Sequence, residues 1–450
     1  SVDDFSVKAP DEFDEEQQAA LEQVPIIDQR STTVGLSWKR KYKNGKGFMN
    51  TVVSSNRLEN IFARYEDNTT KTGTIFQNDS YEWETKFRFQ ATKYTDRWKW
   101  SSGFNFQNSA YQNSTRFLFY NIAYNTELNF VKYGLFFKAS RAFLNDRLDF
   151  SWGIRTDADS FSKGSNLMDN ISPRLSFSYA LTENQRWKLN ASAGRYFKIP
   201  TYTMLGFQNQ QGLFENQQAA YTRSDHLVGG VEYNLTPASR FTVEGFVKKY
   251  ANYPISVIDG VSLANKGGGF EVLGNEAIVS DGEGQSSGIE VLFQQKLSNN
   301  FYGVFAYTYF SSEFTGADGL LRPSVWDSRH LISFSGGYKL RRNWELSARW
   351  RFAGKNPYVP IDVDQSIASY PELILDYDRL GEVTLNSFNL ADIRIDKKWN
   401  FKNLSFNLFF EVQNFLAQPN PTPPEYGLNR GTDGSEVLPR SLVQLSTTEG

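Results

Sequence analysis

The chain has no cysteine, two histidines and three methionines in 450 residues. Without cysteine there is neither a disulfide framework nor a thiolate metal site. His226 and His330 stand in no H-x-x-x-H or H-E-x-x-H spacing, so a zinc ion would have to rely on carboxylates, and no protein metal site is expected. Long apolar runs are missing too. The densest patches, such as "RFLFYNIAY" (116–124), break far short of the roughly eighteen residues of a membrane helix. Neither sign of charge dominates, with 48 basic against 50 acidic residues. A nucleic-acid partner needs a basic excess, so none is expected. The opening "SVDDFSVKAPDEFDEE" has no basic segment followed by an apolar core, so any leader was removed or lies upstream.

Catalytic signatures are equally scarce. No G-x-S-x-G elbow accompanies the histidines. The glycine-rich stretch 265–288 lacks the G-K-[ST] of a phosphate cradle. The acids of "SDGEG" (280–284), and Asp362 with Asp364, fall short of a calcium loop and read as solvated loop acids. No catalytic residue and no cofactor is expected.

Aromatic residues are abundant: 37 Phe, 23 Tyr and 10 Trp, in a chain whose mean hydropathy is only −0.51. The oily residues must therefore be interleaved with polar ones. In "RWKLNASAGRYFKIP" (186–200), Trp187, Leu189, Ala191 and Ala193 alternate with Lys188, Asn190, Ser192 and Gly194, the period of a strand with one oily face. The pattern recurs on both sides of short polar turns at 43–47, 94–97, 144–147, 182–185, 236–239, 298–300, 341–343 and 400–403, as hairpins require. Longer polar connections separate the hairpins at 55–80, 107–125, 155–172, 198–222, 251–287, 312–329 and 353–384.

Short turns alternating with long loops over about sixteen strands are the mark of an all-β, transmembrane, antiparallel up-and-down β-barrel. Trp98, Trp100, Trp187, Trp344 and Trp399 each lie near a short turn on the apolar face, where a periplasm-side aromatic belt would sit in outer-membrane lipid. The whole chain reads as one barrel domain: an outside loop over 1–30, strands over 31–416 and a second outside loop over 417–450. Following the turns, the first strand descends and the last ascends. Both ends then lie outside the cell, which is expected of an internal piece of a larger barrel.

Recognition is left to the loops. "PTYTMLGFQNQQGLFENQQAAY" (200–221) offers Tyr202, Phe207 and Phe214 beside glutamines. "NPYVPIDVDQSIASYPELILDYDRL" (356–380) offers Tyr358, Tyr370 and Tyr377 among aspartates. Rings beside amides suit stacking and hydrogen bonding to a solute, or else pack the loops on each other. Lys188, Asn190, Ser192, Glu244, Lys248, Arg349 and Arg351 would line the lumen.

"SPRLSFSYALTENQRWKLNASAGRYFKIPTY" (172–202) is similar to the mid-barrel hairpin of TonB-dependent outer-membrane receptors, and "DHLVGGVEYNLTPASRFTVEGFVKKYANYPI" (225–255) to the hairpin after it. "SSGIEVLFQQKLSNNFYGVFAYTYFSSEF" (286–314) and "WDSRHLISFSGGYKL" (326–340) resemble the following segments, in wording closest to receptors of Bacteroidetes. The resemblance implies a barrel of 22 strands around an N-terminal plug that this chain would lack. It also implies bacterial outer-membrane residence and uptake of a scarce solute: a siderophore or metal chelate, a glycan, a peptide or a vitamin. Energy would come from TonB–ExbB–ExbD acting on the plug, and a surface lipoprotein is a possible further partner. A passive porin and an outer-membrane hydrolase are the alternative readings.

Overall fold

The computed structural model describes residues 14–445 except 24, 44, 68–69, 119–120 and 267–272, with the backbone of 2–3. Most of the leading segment, the centre of the glycine-rich stretch and the last five residues lie outside the described residues. The alternating sequence forms one antiparallel meander. Its first half comprises β1 (Ile26–Lys41), β2 (Gly47–Asp67), β3 (Thr72–Tyr94), β4 (Lys99–Phe117), β5 (Ile122–Phe143), β6 (Leu148–Asp159), β7 (Ser172–Ala180) and β8 (Trp187–Lys198). The second half comprises β9 (Thr222–Thr236), β10 (Ser239–Ser256), β11 (Ile278–Ser298), β12 (Phe301–Thr315), β13 (His330–Lys339), β14 (Trp344–Ala353), β15 (Phe388–Asn400) and β16 (Ser405–Val412). Each strand pairs with the next. Asn299 and Asn300, with φ of 50° and 68°, supply the left-handed pair of a tight hairpin turn between β11 and β12.

Register decides what each face carries. Trp187, Tyr233, Phe241, Phe293, Phe305, Phe334 and Trp350 lie directly opposite one another across seven neighbouring strands. The next row on that face reads Leu189, Val231, Val243, Val291, Tyr307, Ile332 and Phe352. Trp187, Leu189 and Phe241 are exposed, Trp187 at 43%, and the others are half-buried against their neighbours along the face. An apolar face this broad requires an apolar medium. Lys188, Asn190, Ser192, Glu244, Lys248, Arg349 and Arg351 take the opposite, inward face, because side chains alternate along a strand.

The apolar rows end at a polar one: Arg195, Asp225, Lys249, Gln285 and Glu313 stand in register across β8 to β12. Arg195 forks onto the Asp225 carboxylate, with Nε and Nη2 at 2.6 and 3.0 Å from its oxygens. That pairing lets a cation finish an otherwise oily face.

Two expected loops turn out to be strand. The segments 55–80 and 107–125 belong mostly to β2–β5, which run for 21, 23, 19 and 22 residues, against 10 each for β13 and β14. A tilted crossing needs only about 9–11. Beyond it polar stretches such as Gln77, Asn78, Asp79 and Ser80 interrupt the pattern, so the oily alternation fades while the ladder continues to Asp67↔Thr72 and Phe117↔Ile122. These four strands form a tall wall. The expected outside loop at 1–30 likewise contains a helix, α1 (Glu15–Gln23), and the start of β1.

Among the described residues, β1 and β16 are the two edges and do not pair with each other, so the sheet is curled but not closed. At the long-loop rim the flanking segments meet. Arg430, beyond β16, contacts Glu15 and Glu22 of α1 at 3.8 and 3.1 Å. A charge in the oily rows should cost far more than the loss of one from the polar row. Leu189→Arg is expected to destabilise assembly into liposomes by about 2–4 kcal/mol and Arg195→Leu by about 0–1 kcal/mol. Heat-modifiable gel mobility reads the folded fraction; equal losses would show that Leu189 does not face lipid.

Candidate functional site

The inner face of the tall wall is where the long connections come to rest. The connection between β8 and β9 turns inward through the one-turn helix α2 (Tyr202–Gly206) and lies on β3–β5. Tyr202 is 8% exposed, packed with Tyr111, Leu128, Phe130 and Leu205. Its hydroxyl bonds to the Glu84 carboxylate and receives the Lys132 ammonium, with Ser109 Oγ at 3.1 Å. Lys132 also lies 4.7 Å from the Tyr202 ring centre, close enough for a cation–π contact. Phe207 is buried edge-on against Tyr124, ring centres 5.5 Å apart. Phe214 packs edge-on against Phe161 at 5.2 Å.

Side-chain amides tie this connection to its neighbours. Asn216, 2% exposed, donates to the carbonyls of Met204 and Glu276, both at 2.8 Å, and accepts from Ile278 N at 2.9 Å. It therefore joins the β8–β9 connection to the one between β10 and β11. At its far end the Tyr221 hydroxyl donates to Asp159 at 2.8 Å. Asp159 also accepts from the backbone of Phe161 and Ser162. Burial, first, and the Asp159 charge hold the Tyr221 phenol far above its ordinary pKa, so it remains a donor.

The connection between β14 and β15 carries α3 (Val363–Ser369), capped by Asp362, whose carboxylate accepts from Gln365 N at 2.9 Å. Arg64 of β2 reaches across the mouth to Glu372 in this connection. Tyr358 sits in a short ladder with Val383. Tyr370, its phenol held above the ordinary pKa mainly by burial, receives Gln23 Nε2 at 3.4 Å. Tyr377 lines a cavity of about 320 Å³.

That cavity is walled on one side by Phe62, Phe76 and Phe117, which stack edge-to-face with ring centres 5.5 and 5.0 Å apart. Ile258, Leu273 and Asn275 of the β10–β11 connection, with Ile374 and Leu375 beyond α3, complete it. Two ion-paired groups flank it: Arg64 with Glu372, and Lys266 with Glu276 at 2.9 Å and Asp259 at 2.7 Å. Of the six aromatic residues proposed from sequence, Tyr377 lines the cavity, Tyr202, Phe207 and Phe214 brace the loop beneath it, and Tyr358 and Tyr370 lie in the loop above. The residues missed are Arg64, Phe76, Phe117, Asn216 and Asn275. The alternation of Glu82, Glu84 and Lys86 on one face of β3 was the available signal that strand, not loop, continues there.

Trp98 and Trp100 stack at 5.2 Å, Trp187 stacks on Tyr233 at 4.3 Å, and Lys397 lies over Trp344 and Trp399 at 5.2 and 5.5 Å. All five are on the outward face at the short-turn end. His226 bonds to Ser224 Oγ at 2.7 Å and His330 to the Tyr307 hydroxyl at 2.9 Å. Among the described residues no three His, Cys, Asp or Glu side chains cluster to hold a metal ion.

An antiparallel meander with an oily outer face, a wet inner face and loops folded over one mouth defines an outer-membrane β-barrel of the receptor type. Residues 4–415 match the family described as TonB dependent receptor-like, beta-barrel, and the chain belongs to it. The fold is similar to a copper transporter, OprC (14% identity, 92% of this chain and 65% of that one, TM-score 0.63). It is also similar to the ferric-catecholate import receptor Fiu from K12 E. coli (11%, 93% and 64%, 0.61). A third likeness is to the alcaligin outer-membrane receptor FauA from Bordetella pertussis (12%, 87% and 61%, 0.55). The chain thus spans less than two thirds of the length of these structures. No curated protein matches it. Family and neighbours are receptors and transporters rather than enzymes, and the protein is one of the outer membrane.

Two outcomes are expected of this loop architecture. Tyr202→Phe removes the hydroxyl shared by Glu84 and Lys132 and should loosen the β8–β9 connection by about 1–3 kcal/mol. Faster amide exchange over 199–221, with β12–β14 unchanged, checks it. At the rim, burial is the chief cause that raises the Glu15 carboxyl to about 7, against the opposing pull of Arg430. A carboxyl raised on docking binds its proton more tightly when docked, so its contribution is full below pH 4.5 and lost as pH rises through about 7. Cross-linking of α1 to the 426–444 segment should fall across that window, and Glu15→Gln should flatten the profile.

Proposed function

We propose that the chain is the barrel portion of a TonB-dependent outer-membrane transporter that takes up a scarce solute, with energy delivered by TonB–ExbB–ExbD through a plug. The observation that carries this reading is the cavity at the loop-covered mouth, since a passive channel has no need of an enclosed recognition site over its lumen. A siderophore or metal chelate, a glycan, a peptide or a vitamin fits the class. The likeness to a copper transporter and to ferric-siderophore receptors supports the uptake of small solutes. Tyr377 would touch the solute, while Tyr202, Phe207, Phe214, Tyr358 and Tyr370 would shape the loops that admit it. Trp98, Trp100, Trp187, Trp344 and Trp399 would seat the barrel at the periplasmic headgroups, where an indole ring finds both oil and water. A surface lipoprotein over the loops is compatible with this arrangement.

The deciding experiment is solute accumulation in cells that express the full-length protein, with and without functional TonB. Accumulation that falls to background without TonB is the expected result. Uptake that is indifferent to TonB would identify a passive channel instead.

A further inference from the structure

The loop-covered cavity holds an imbalance that points to the chemistry of its occupant. Its carboxylates are engaged. Glu372 receives Arg64, Glu276 receives Lys266 and the Ser256 hydroxyl, and Asp259 receives Lys266 and Val261 N. Two donors in the same wall are not. Among the described residues, Arg64 Nε and Asn275 Nδ2 are buried without a hydrogen-bond partner. The other end of the Asn275 amide is fixed, because its oxygen accepts from the Tyr124 hydroxyl at 2.7 Å. With the amide oxygen turned to Tyr124, the nitrogen is the end left without an acceptor. Buried donors left empty are costly and rare, so their presence in a cavity wall marks where an acceptor belongs.

Charge narrows the class further. Two cations, Arg64 and Lys266, face three carboxylates, Asp259, Glu276 and Glu372, so the lining carries an excess negative charge. A free anion would meet repulsion in a partly dehydrated site. A neutral carbonyl would not, and its oxygen accepts from such donors without bringing a charge. Apart from Gln23 and Tyr377 the remaining wall is apolar, with the edge-to-face triad Phe62, Phe76 and Phe117 together with Ile374 and Leu375. At about 320 Å³ the space is at the small end of ligand sites.

We infer that this cavity binds a small, uncharged, apolar solute through carbonyl oxygens that accept from Arg64 Nε and Asn275 Nδ2, as in a capped hydrophobic amino-acid or peptide unit. The inference rests on the chain being a solute receptor and specifies what that receptor recognises. Both donors lie on different elements, Arg64 on β2 and Asn275 in the β10–β11 connection, so the occupant would also hold the mouth in one arrangement.

A matched pair of probes tests it: N-acetyl-phenylalaninamide, which is neutral, and N-acetyl-phenylalanine, which differs in carrying a carboxylate at neutral pH. Binding is measured by saturation-transfer NMR and calorimetry on the full-length protein in detergent. The amide should bind, with the acid at least several-fold weaker. Arg64→Lys keeps a cation for Glu372 but has no Nε donor, and Asn275→Asp keeps an acceptor for Tyr124 but donates nothing. Each should weaken the amide roughly fivefold to tenfold, while heat-modifiable mobility confirms an intact barrel. Equal or tighter binding of the acid, no binding of either probe at millimolar concentration, or an amide affinity untouched by both variants would overturn the proposal. TonB-dependent accumulation of a charged solute alongside any of those results would leave the transport reading standing. Loss of TonB dependence alongside amide binding would remove transport and leave the recognition site.

Discussion

Every backbone N–H and C=O of a strand that crosses hydrocarbon has to find its partner in an adjacent strand, since no water is there to replace it. The meander from Ile26 to Val412 meets that demand strand by strand. Among the described residues the two edges are β16 and β1, the latter paired on its outer side only where Ile27 and Asp28 meet Asp3 and Val2. Side-chain chemistry follows from this ladder rather than the reverse. Once register is fixed, aromatic residues on seven strands fall into one outward row, and every neighbouring residue is turned to the lumen.

The same ladder, prolonged, creates the site. In β2–β5 pairing runs on past the oily rows, carried by Asn, Gln, Ser and Thr side chains whose backbones bond as well as any others. The wall so formed gives the long connections a surface to fold on. Tyr202 anchors one to Glu84 and Lys132, Asn216 binds that one to the next, and Arg64 holds a third through Glu372. Loops that would otherwise cost entropy to order become a rigid frame for a cavity. Its occupant is then a matter of local chemistry: an aromatic wall, engaged acids and two empty donors.

The barrel crossing was legible because it obeys a two-residue period with a strong apolar signal, and because turns such as Asn299–Asn300 carry their own conformational preference. The extended parts of β2–β5 were not, since a polar strand and a polar loop look alike when only hydrophobicity is tracked. Tyr202, Phe207 and Phe214 were singled out as rings that could meet a solute, and the structure packs them against Tyr111, Tyr124 and Phe161. Arg195 follows Ala193 at the same alternation, a cation on the oily side of β8. The register shows it as the start of a polar row shared with Asp225 on the next strand.

By itself, then, the sequence determined the class of fold, the hairpin order and the inward or outward sense of residues in the oily parts of the strands, because all of these rest on short-range periodicity and local turn chemistry; the family was legible separately, through the resemblance of whole segments such as 172–202 and 225–255. Only the tertiary structure decided where the wall ends, which loops fold inward and which side chains share a cavity. Arg64, Phe117, Asn275 and Tyr377 are separated by tens to hundreds of residues and meet only because the sheet curls and its loops close over one mouth. No local pattern encodes that meeting, since it is set by how far each ladder runs before its connection turns.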